Sequence, residues 1–194
     1  MKQLLLLFLI GSIFKADVEK DFYERLSDAA ITLTEDYVRY DPSYVKIKYP
    51  NGDVPAHTGV CTDVVIRAYR KLDIDLQKEV HEDMKANFSK YPKSWGLKST
   101  DTNIDHRRVP NLQTFFTRKG EKLTVTKKGS DYKPGDLVTW MLNGKVPHIG
   151  IVVNKKGKSG NYMIVHNIGS GQVLEDCLFD YSVSGHYRYK KEGH

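Results

Sequence analysis

Cys61 stands in Thr58–Gly59–Val60–Cys61–Thr62–Asp63–Val64–Val65, where a polar stretch gives way to apolar residues at helical spacing. That places the thiol in the first turn of an expected helix, with Thr58 as its N-cap. The positive end of a helix dipole favours a thiolate, the form in which cysteine attacks electrophiles. The competing reading is a small buried hydrophobe, the usual fate of a free cysteine. A nucleophilic thiol also needs a base. His148 heads the apolar run His148–Ile149–Gly150–Ile151–Val152–Val153, which puts an imidazole at the rim of a sheet, and Gly150 leaves room for a close neighbour. The alternative is an exposed histidine at a strand start. His166 ends the next apolar run, Tyr162–Met163–Ile164–Val165–His166. If the two runs form a hairpin, His166 lies beside His148 and can orient it, as the third member of a triad does. Asn167 competes for that role. Adjacent strand residues face opposite sides, so only one of the two meets the base.

These residues need elements to position them. Phe22, Leu26, Ala29–Ala30 and Leu33 recur at helical spacing and predict a helix from Asp21 to about Thr34. Asp41–Pro42, Pro50–Asn51–Gly52 and Val54–Pro55 mark residues 40–58 as loop. Val60, Val64–Val65, Ala68 and Leu72 form the stripe of the helix that Cys61 opens, and Leu76, Val80, Met84 and Phe88 that of another. Residues 89–110 read as irregular, after which Pro110 starts a helix carrying Leu112, Phe115 and Phe116. The last third changes character. Leu137–Trp140, His148–Val153 and Tyr162–His166 read as strands, separated by turns at Asn143–Gly144 and Lys155–Gly160, with Val173–Leu174 and His186–Tyr189 as added edges. Helices first and an antiparallel meander after them give an α+β layout.

At 40% hydrophobic and 28% charged residues, 194 residues hold enough apolar material for one core, expected over 17–194. Residues 1–16 differ. Lys2 precedes an unbroken apolar run from Leu4 to Ile10, the pattern of a secretory signal, with an uncleaved anchor as the alternative. The run is too short for the roughly 20 apolar residues of a comfortable membrane span. Export to the periplasm or cell envelope follows from this reading, with no stable span once the signal is gone. The net charge of +6 becomes +4 without Lys2 and Lys15, a modest excess with no run dense enough to suggest nucleic-acid binding. A monomer is expected. Cys61 and Cys177 make no disulfide framework and no C-x-x-C pair.

Longer motifs sharpen the picture. Tyr132–Lys133–Pro134–Gly135–Asp136–Leu137–Val138, Pro147–His148–Ile149–Gly150–Ile151–Val152 and Ile164–Val165–His166 resemble the three strand motifs of the NlpC-type papain-like cysteine peptidases, in the same chain order. In that family the usual nucleophile context is Asp-Cys-Ser-Gly, and Val60–Cys61–Thr62–Asp63 departs from it. The stretch from about Tyr37 to Tyr189 is more closely similar to the bacterial domain-of-unknown-function family 1287. The likeness rests on Arg39–Tyr40–Asp41–Pro42, Gly52–Asp53–Val54–Pro55, Gly59–Tyr69, His81–Glu82–Asp83–Met84, Asn103–Leu112 and Gly185–Tyr189. The resemblance implies a papain-like (NlpC-like) fold, with N-terminal helices packed on an antiparallel β meander. It also implies a Cys61–His148–His166 triad, a thioester intermediate, and peptidoglycan peptides as substrate.

The remaining polar residues have two readings each. Asp63 either caps the Cys61 helix or pairs with an arginine; as a site residue it would contact substrate, as would Asn167. Asp105–His106–Arg107–Arg108 is either an ion-pair network or a cleft wall whose Arg107 and Arg108 hold a substrate carboxylate. His81–Glu82–Asp83 reads as a solvated helix face, His57 as an exposed loop histidine, and Cys177 as buried and inert. No cofactor or metal is expected. The metal alternative would gather Cys61, His148 and His166 about zinc, with His57 as a fourth ligand. Two further alternatives are a wall-binding module with a vestigial triad and an acyltransferase that keeps the thioester.

Overall fold

A computed structural model of the chain describes residues 19–194; the expected signal over residues 1–16 lies outside the described residues. Helix α1 spans Phe22–Thr32. Asp21 caps it, accepting from the Glu24 amide at 2.8 Å while the Glu24 carboxylate accepts from the Asp21 amide. A 3₁₀ turn at Leu33–Glu35 follows. Two-residue strands β1 (Arg39–Tyr40) and β2 (Thr58–Gly59) pair in parallel and close the long loop between them. Then come α2 (Cys61–Arg70), α3 (Leu76–Ala86), a 3₁₀ turn at Asp105–Arg107 and α4 (Val109–Lys119). The strands are β3 (Glu121–Lys122), β4 (Leu137–Leu142), β5 (Val146–Lys156), β6 (Tyr162–His166), β7 (Val173–Glu175) and β8 (Ser182–Arg188).

Among the described residues, the main sheet has the order β3-β8-β4-β5-β6-β7. The α+β layout stands, and β4 to β7 form the expected meander. The difference lies at β8: the last strand returns to the far side of β4 and takes β3 on its outer edge, so it is interior where an edge was expected. Strand alternation divides the sheet into two faces. Leu137, Ile149, Ile151, Val153 and Val165 meet Leu26, Val64, Val65, Leu112 and Phe116 of the helices. Val138, Trp140, Val152 and Ile164 meet Tyr132, Cys177 and Leu178 on the other side. Each of these fully buried side chains contributes roughly 1.5–3 kcal/mol relative to exposure. Free polypeptide segments therefore cover the face opposite the helices, and one of them carries Cys177.

Asp83, read as part of a solvated face, is instead buried. It accepts from the Tyr91 hydroxyl at 2.8 Å and from Arg118 at 2.7 Å, tying α3 to α4.

Candidate active site

The thiol of Cys61 is buried at the N-terminus of α2. Thr58 is not the N-cap. Its hydroxyl turns back to the Pro55 carbonyl, and Asp63 closes the helix start by accepting from the Val60 amide at 2.7 Å. The same carboxylate receives Nε and Nη2 of Arg107 at 2.8 and 2.9 Å, a fork-to-fork pair with both side chains buried. One residue thus fixes the first turn of α2 and the loop that crosses it. Asp53 does the same further along, accepting from Arg67 and Arg70, while Arg67 also holds the Thr58 carbonyl. Asn167 is fully buried and donates to the Gly59 carbonyl at 3.3 Å. These contacts place Asp63, Arg107 and Asn167 around the backbone that leads into Cys61. Arg108 stacks over Trp95 at 4.3 Å and leaves Nη1 without a partner among the described residues.

His148 and His166 lie on the face of the sheet that carries Trp140. His148 pairs with Trp140 across β4 and β5, their rings 5.9 Å apart. Gly150 makes the neighbouring contact possible: a Cβ there would stand 2.6 Å from Ile164 and 3.1 Å from the Cβ of His166. β6 pairs with β5 no nearer to His148 than Ile151. The backbone of Ile149 beyond that point is free to meet the thiol, and its amide hydrogen-bonds to Cys61. Cys61 therefore sits beside the residue that follows His148.

His148 Nε2 and His166 Nδ1 are 2.8 Å apart, and His166 Nε2 lies 2.9 Å from Oε2 of Glu175. The choice between His166 and Asn167 is thus made by geometry in favour of His166. Glu175, on β7, is the residue the sequence did not offer. A carboxylate only accepts, so it places the His166 proton on Nε2. Nδ1 of His166 is then an acceptor, which places the His148 proton on Nε2. What remains is a lone pair on His148 Nδ1, the atom not engaged by the line. Glu175 thus sets the proton order of both rings and leaves His148 Nδ1 with a lone pair. The alternation of β7 was the available signal: Val173 pairs with His166, and Glu175, two residues on, shares its face.

The electrostatics differ from the expected thiolate. Burial pushes the Cys61 thiol up to about 12, against the opposing pull of the Ile149 amide. Burial, reinforced by the neighbouring His166, pushes His148 down to about 3. Burial also lowers His166, with Glu175 pulling the other way. Desolvation outweighs the helix dipole here, so the resting pair is neutral thiol and neutral imidazole.

A cleft of about 230 Å³ opens onto Cys61, walled by Tyr40, Trp95, Arg108, Val146 and Pro147. β1 brings Tyr40 there through its pairing with Gly59. A larger hollow of about 720 Å³ lies between Val125–Lys127 and Phe179–Val183, and it holds neither thiol nor imidazole. Cys61 and Cys177 are both free, and His57 is exposed.

A cysteine opening a helix, with two histidines on neighbouring strands of an antiparallel sheet, stands in an α+β fold of the NlpC-like kind. The chain belongs to the domain-of-unknown-function family DUF1287, whose family model matches residues 27–189. The family read from the motifs is therefore borne out. A relative from Escherichia coli (strain K12), the uncharacterized protein YijF, is 53% identical over 150 residues, covering 77% of this chain and 73% of its own. Among solved structures, an N-acetylmuramoyl-L-alanine amidase from Bacteroides uniformis aligns with a TM-score of 0.50 at 12% identity, over 87% of this chain and 99% of the amidase. At that identity the likeness speaks to the fold alone. NlpC1 from Trichomonas vaginalis aligns with a TM-score of 0.47 at 17% identity, over 91% of this chain and 48% of NlpC1, so the chain spans about half of that protein.

Proposed function

We propose that the chain is an exported cysteine hydrolase that cleaves amide bonds in peptidoglycan peptides. The observation that carries the chemistry is the line Glu175–His166–His148, hydrogen-bonded at 2.9 and 2.8 Å, with the amide of Ile149, the residue after His148, bonded to Cys61. In this reading the Cys61 sulfur attacks the amide carbonyl while its proton passes to His148 Nδ1. The imidazolium then gives that proton to the leaving amine nitrogen as the C–N bond breaks, leaving a thioester. Water, deprotonated by His148, attacks the thioester carbonyl and releases the acid. Backbone amides in the first turn of α2 are the nearest donors for the oxyanion. The substrate class is supported by the NlpC-type motifs and by a protein of this fold being an N-acetylmuramoyl-L-alanine amidase. The apolar run from Leu4 to Ile10 supports export to the periplasm or cell envelope.

The test is digestion of purified peptidoglycan fragments, read by mass spectrometry, with wild type, Cys61→Ala and His148→Ala. New amino and carboxyl termini are expected with wild type and with neither variant. Products in which an amine or lipid acceptor replaces water would turn the reading to an acyltransferase. Binding of fragments without cleavage, unchanged by Cys61→Ala, would turn it to a wall-binding module.

A further inference from the structure

The second cysteine stands behind the base. Cys177 Sγ lies 3.7 Å from His166 Nε2, the same atom that meets Oε2 of Glu175 at 2.9 Å. These three ligand atoms all lie within 4.8 Å of one another. Nitrogen, sulfur and oxygen donors at such spacing suit a tetrahedral ion with metal–ligand distances of about 2.0–2.3 Å, water taking the fourth place. The segment is held from both sides. Asp176 accepts from the amide and hydroxyl of Ser159 at 2.8 and 2.6 Å, and the Trp140 indole donates to the Leu178 carbonyl at 2.9 Å. Three carboxylates, Glu175, Asp176 and Asp180, bear on the thiol and favour a cation there. His166 and Cys177 are buried, whereas 43% of the Glu175 side chain is exposed, which gives an ion its way in.

We propose that His166, Glu175 and Cys177 bind a thiophilic divalent ion such as zinc, and that binding switches off the Cys61–His148 pair. The atoms balance as follows. The metal takes the lone pair of His166 Nε2, so that ring's proton moves to Nδ1. His166 Nδ1–H now donates to His148 Nε2, and the His148 proton moves to Nδ1. Both imidazoles stay neutral. The one proton released is that of the Cys177 thiol, and the thiolate and carboxylate neutralise the dication. His148 Nδ1 then carries N–H in place of a lone pair, and no base remains for Cys61 in that reading. Metal binding stands independently of any reaction; the switch rests on the reading of Cys61 as nucleophile.

The experiment titrates the purified protein anaerobically with Co²⁺ and follows the thiolate-to-cobalt charge-transfer band. Iodoacetamide labelling of the Cys61 peptide is measured in parallel, with and without Zn²⁺. One equivalent of Co²⁺ should give the band in wild type and in Cys61→Ser. The band should be lost in Cys177→Ser, and the affinity should fall at least 10-fold in Glu175→Gln. Zn²⁺ should slow Cys61 labelling at least 10-fold in wild type and leave Cys177→Ser at its metal-free rate. Glu175→Gln, which keeps the thiol, guards against a Cys177→Ser protein that fails to fold. No band in wild type, or a band that survives Cys177→Ser and vanishes in Cys61→Ser, overturns the site. A band that depends on Cys177 with labelling unchanged by Zn²⁺ overturns the switch. Cys61 that labels no faster than an unfolded peptide, with the band intact, sinks the hydrolase reading while the site stands.

Discussion

Two assemblies of histidine and carboxylate, one with a buried carboxylate and one with a part-exposed carboxylate, sit along β4, and they differ in what they leave open. At the start of the strand, Asp136 is fully buried and every atom with a hydrogen-bonding role is engaged. Oδ1 takes Arg188 Nε at 2.5 Å; Oδ2 takes His186 Nε2 at 2.6 Å and the Lys133 amide at 2.8 Å. The other His186 nitrogen meets the Thr124 carbonyl at 3.3 Å. Toward the other end, the line from Glu175 through His166 to His148 leaves one ring nitrogen outside it, Nδ1 of His148. The ingredients are the same. A closed network joins β4 to β8 and leaves nothing over for chemistry, while a line with one unsatisfied end is a proton acceptor waiting for a donor.

The widest separation between the two should come from removing the open end. His148→Ala should slow alkylation of Cys61, and any turnover, by about 10²–10⁴-fold, the usual worth of a general base. Its folding free energy should move little by comparison. Rate and stability falling together would mean the line is as structural as the Asp136 cluster.

Asp136→Ala is the reciprocal experiment. It strands Arg188 and His186 beside a vacated buried site, and breaking such a pair from one side costs about 3–5 kcal/mol. Urea denaturation should show that loss, and Cys61 in the protein that remains folded should label at the wild-type rate. A drop in labelling of the folded fraction would show that the two ends of β4 are coupled.

How far the sequence revealed this division depends on what kind of signal each part leaves. The helices from Phe22 and Cys61 are stripes at a period of 3.6, and β5 and β6 are apolar runs ended by turns; both signals are local. Cys61, His148 and His166 were legible because each lies at the boundary of such a run. Asp63 and Arg107 were legible as an ion pair or a cleft wall, and their pairing spans 44 residues that no periodicity links. Glu175 was not legible. It lies in a three-residue strand, and its role depends on which face of β7 meets His166. The return of β8 to β4 was hidden for a related reason. Register and strand order are long-range, and an alternating strand reads alike at an edge and inside. The thiolate expectation failed on burial: the thiol does lie in the first turn of a helix, though Thr58 does not cap it, and the depth at which it lies reversed the expected effect on the thiol.

A third carboxylate tests whether burial alone explains these assemblies. Asp105 is fully buried; Oδ2 accepts from the Asp101 amide at 2.5 Å, and among the described residues Asp105 has no ion pair and its Oδ1 no partner. Burial raises it from 3.8 to about 6, against the pull of the Asp101 amide. The folded state therefore holds this proton to higher pH than the unfolded state does. The sign follows: its contribution is intact below about pH 4, is lost as pH rises toward 6, and is flat above. The gap caps the effect at about 3 kcal/mol. Asp105→Asn keeps the Asp101 bond and removes the titration. The stability of the variant relative to wild type, from denaturation midpoints, should rise between pH 4 and 6 and hold constant above. A constant difference across that range would show that Asp105 finds a partner in solution.

Glu175 gives the smallest effect and the sharpest test of the open line. It touches neither thiol nor substrate in this reading; it is a positioning residue that acts by fixing where two protons sit. With metal removed by a chelator, Glu175→Ala should slow Cys61 labelling by about 10–100-fold, the range seen when the partner of a functional histidine is lost. Glu175→Gln should recover part of that, because its carbonyl can still accept from His166 Nε2, although its amide can also turn and donate. The discriminating measurement is the double variant. If Glu175 works through the proton order of His148, then Glu175→Ala should cost nothing once His148 is already alanine. A loss that persists in the His148→Ala background would place Glu175 with Asp136, as a residue that holds the sheet together and leaves the chemistry to others.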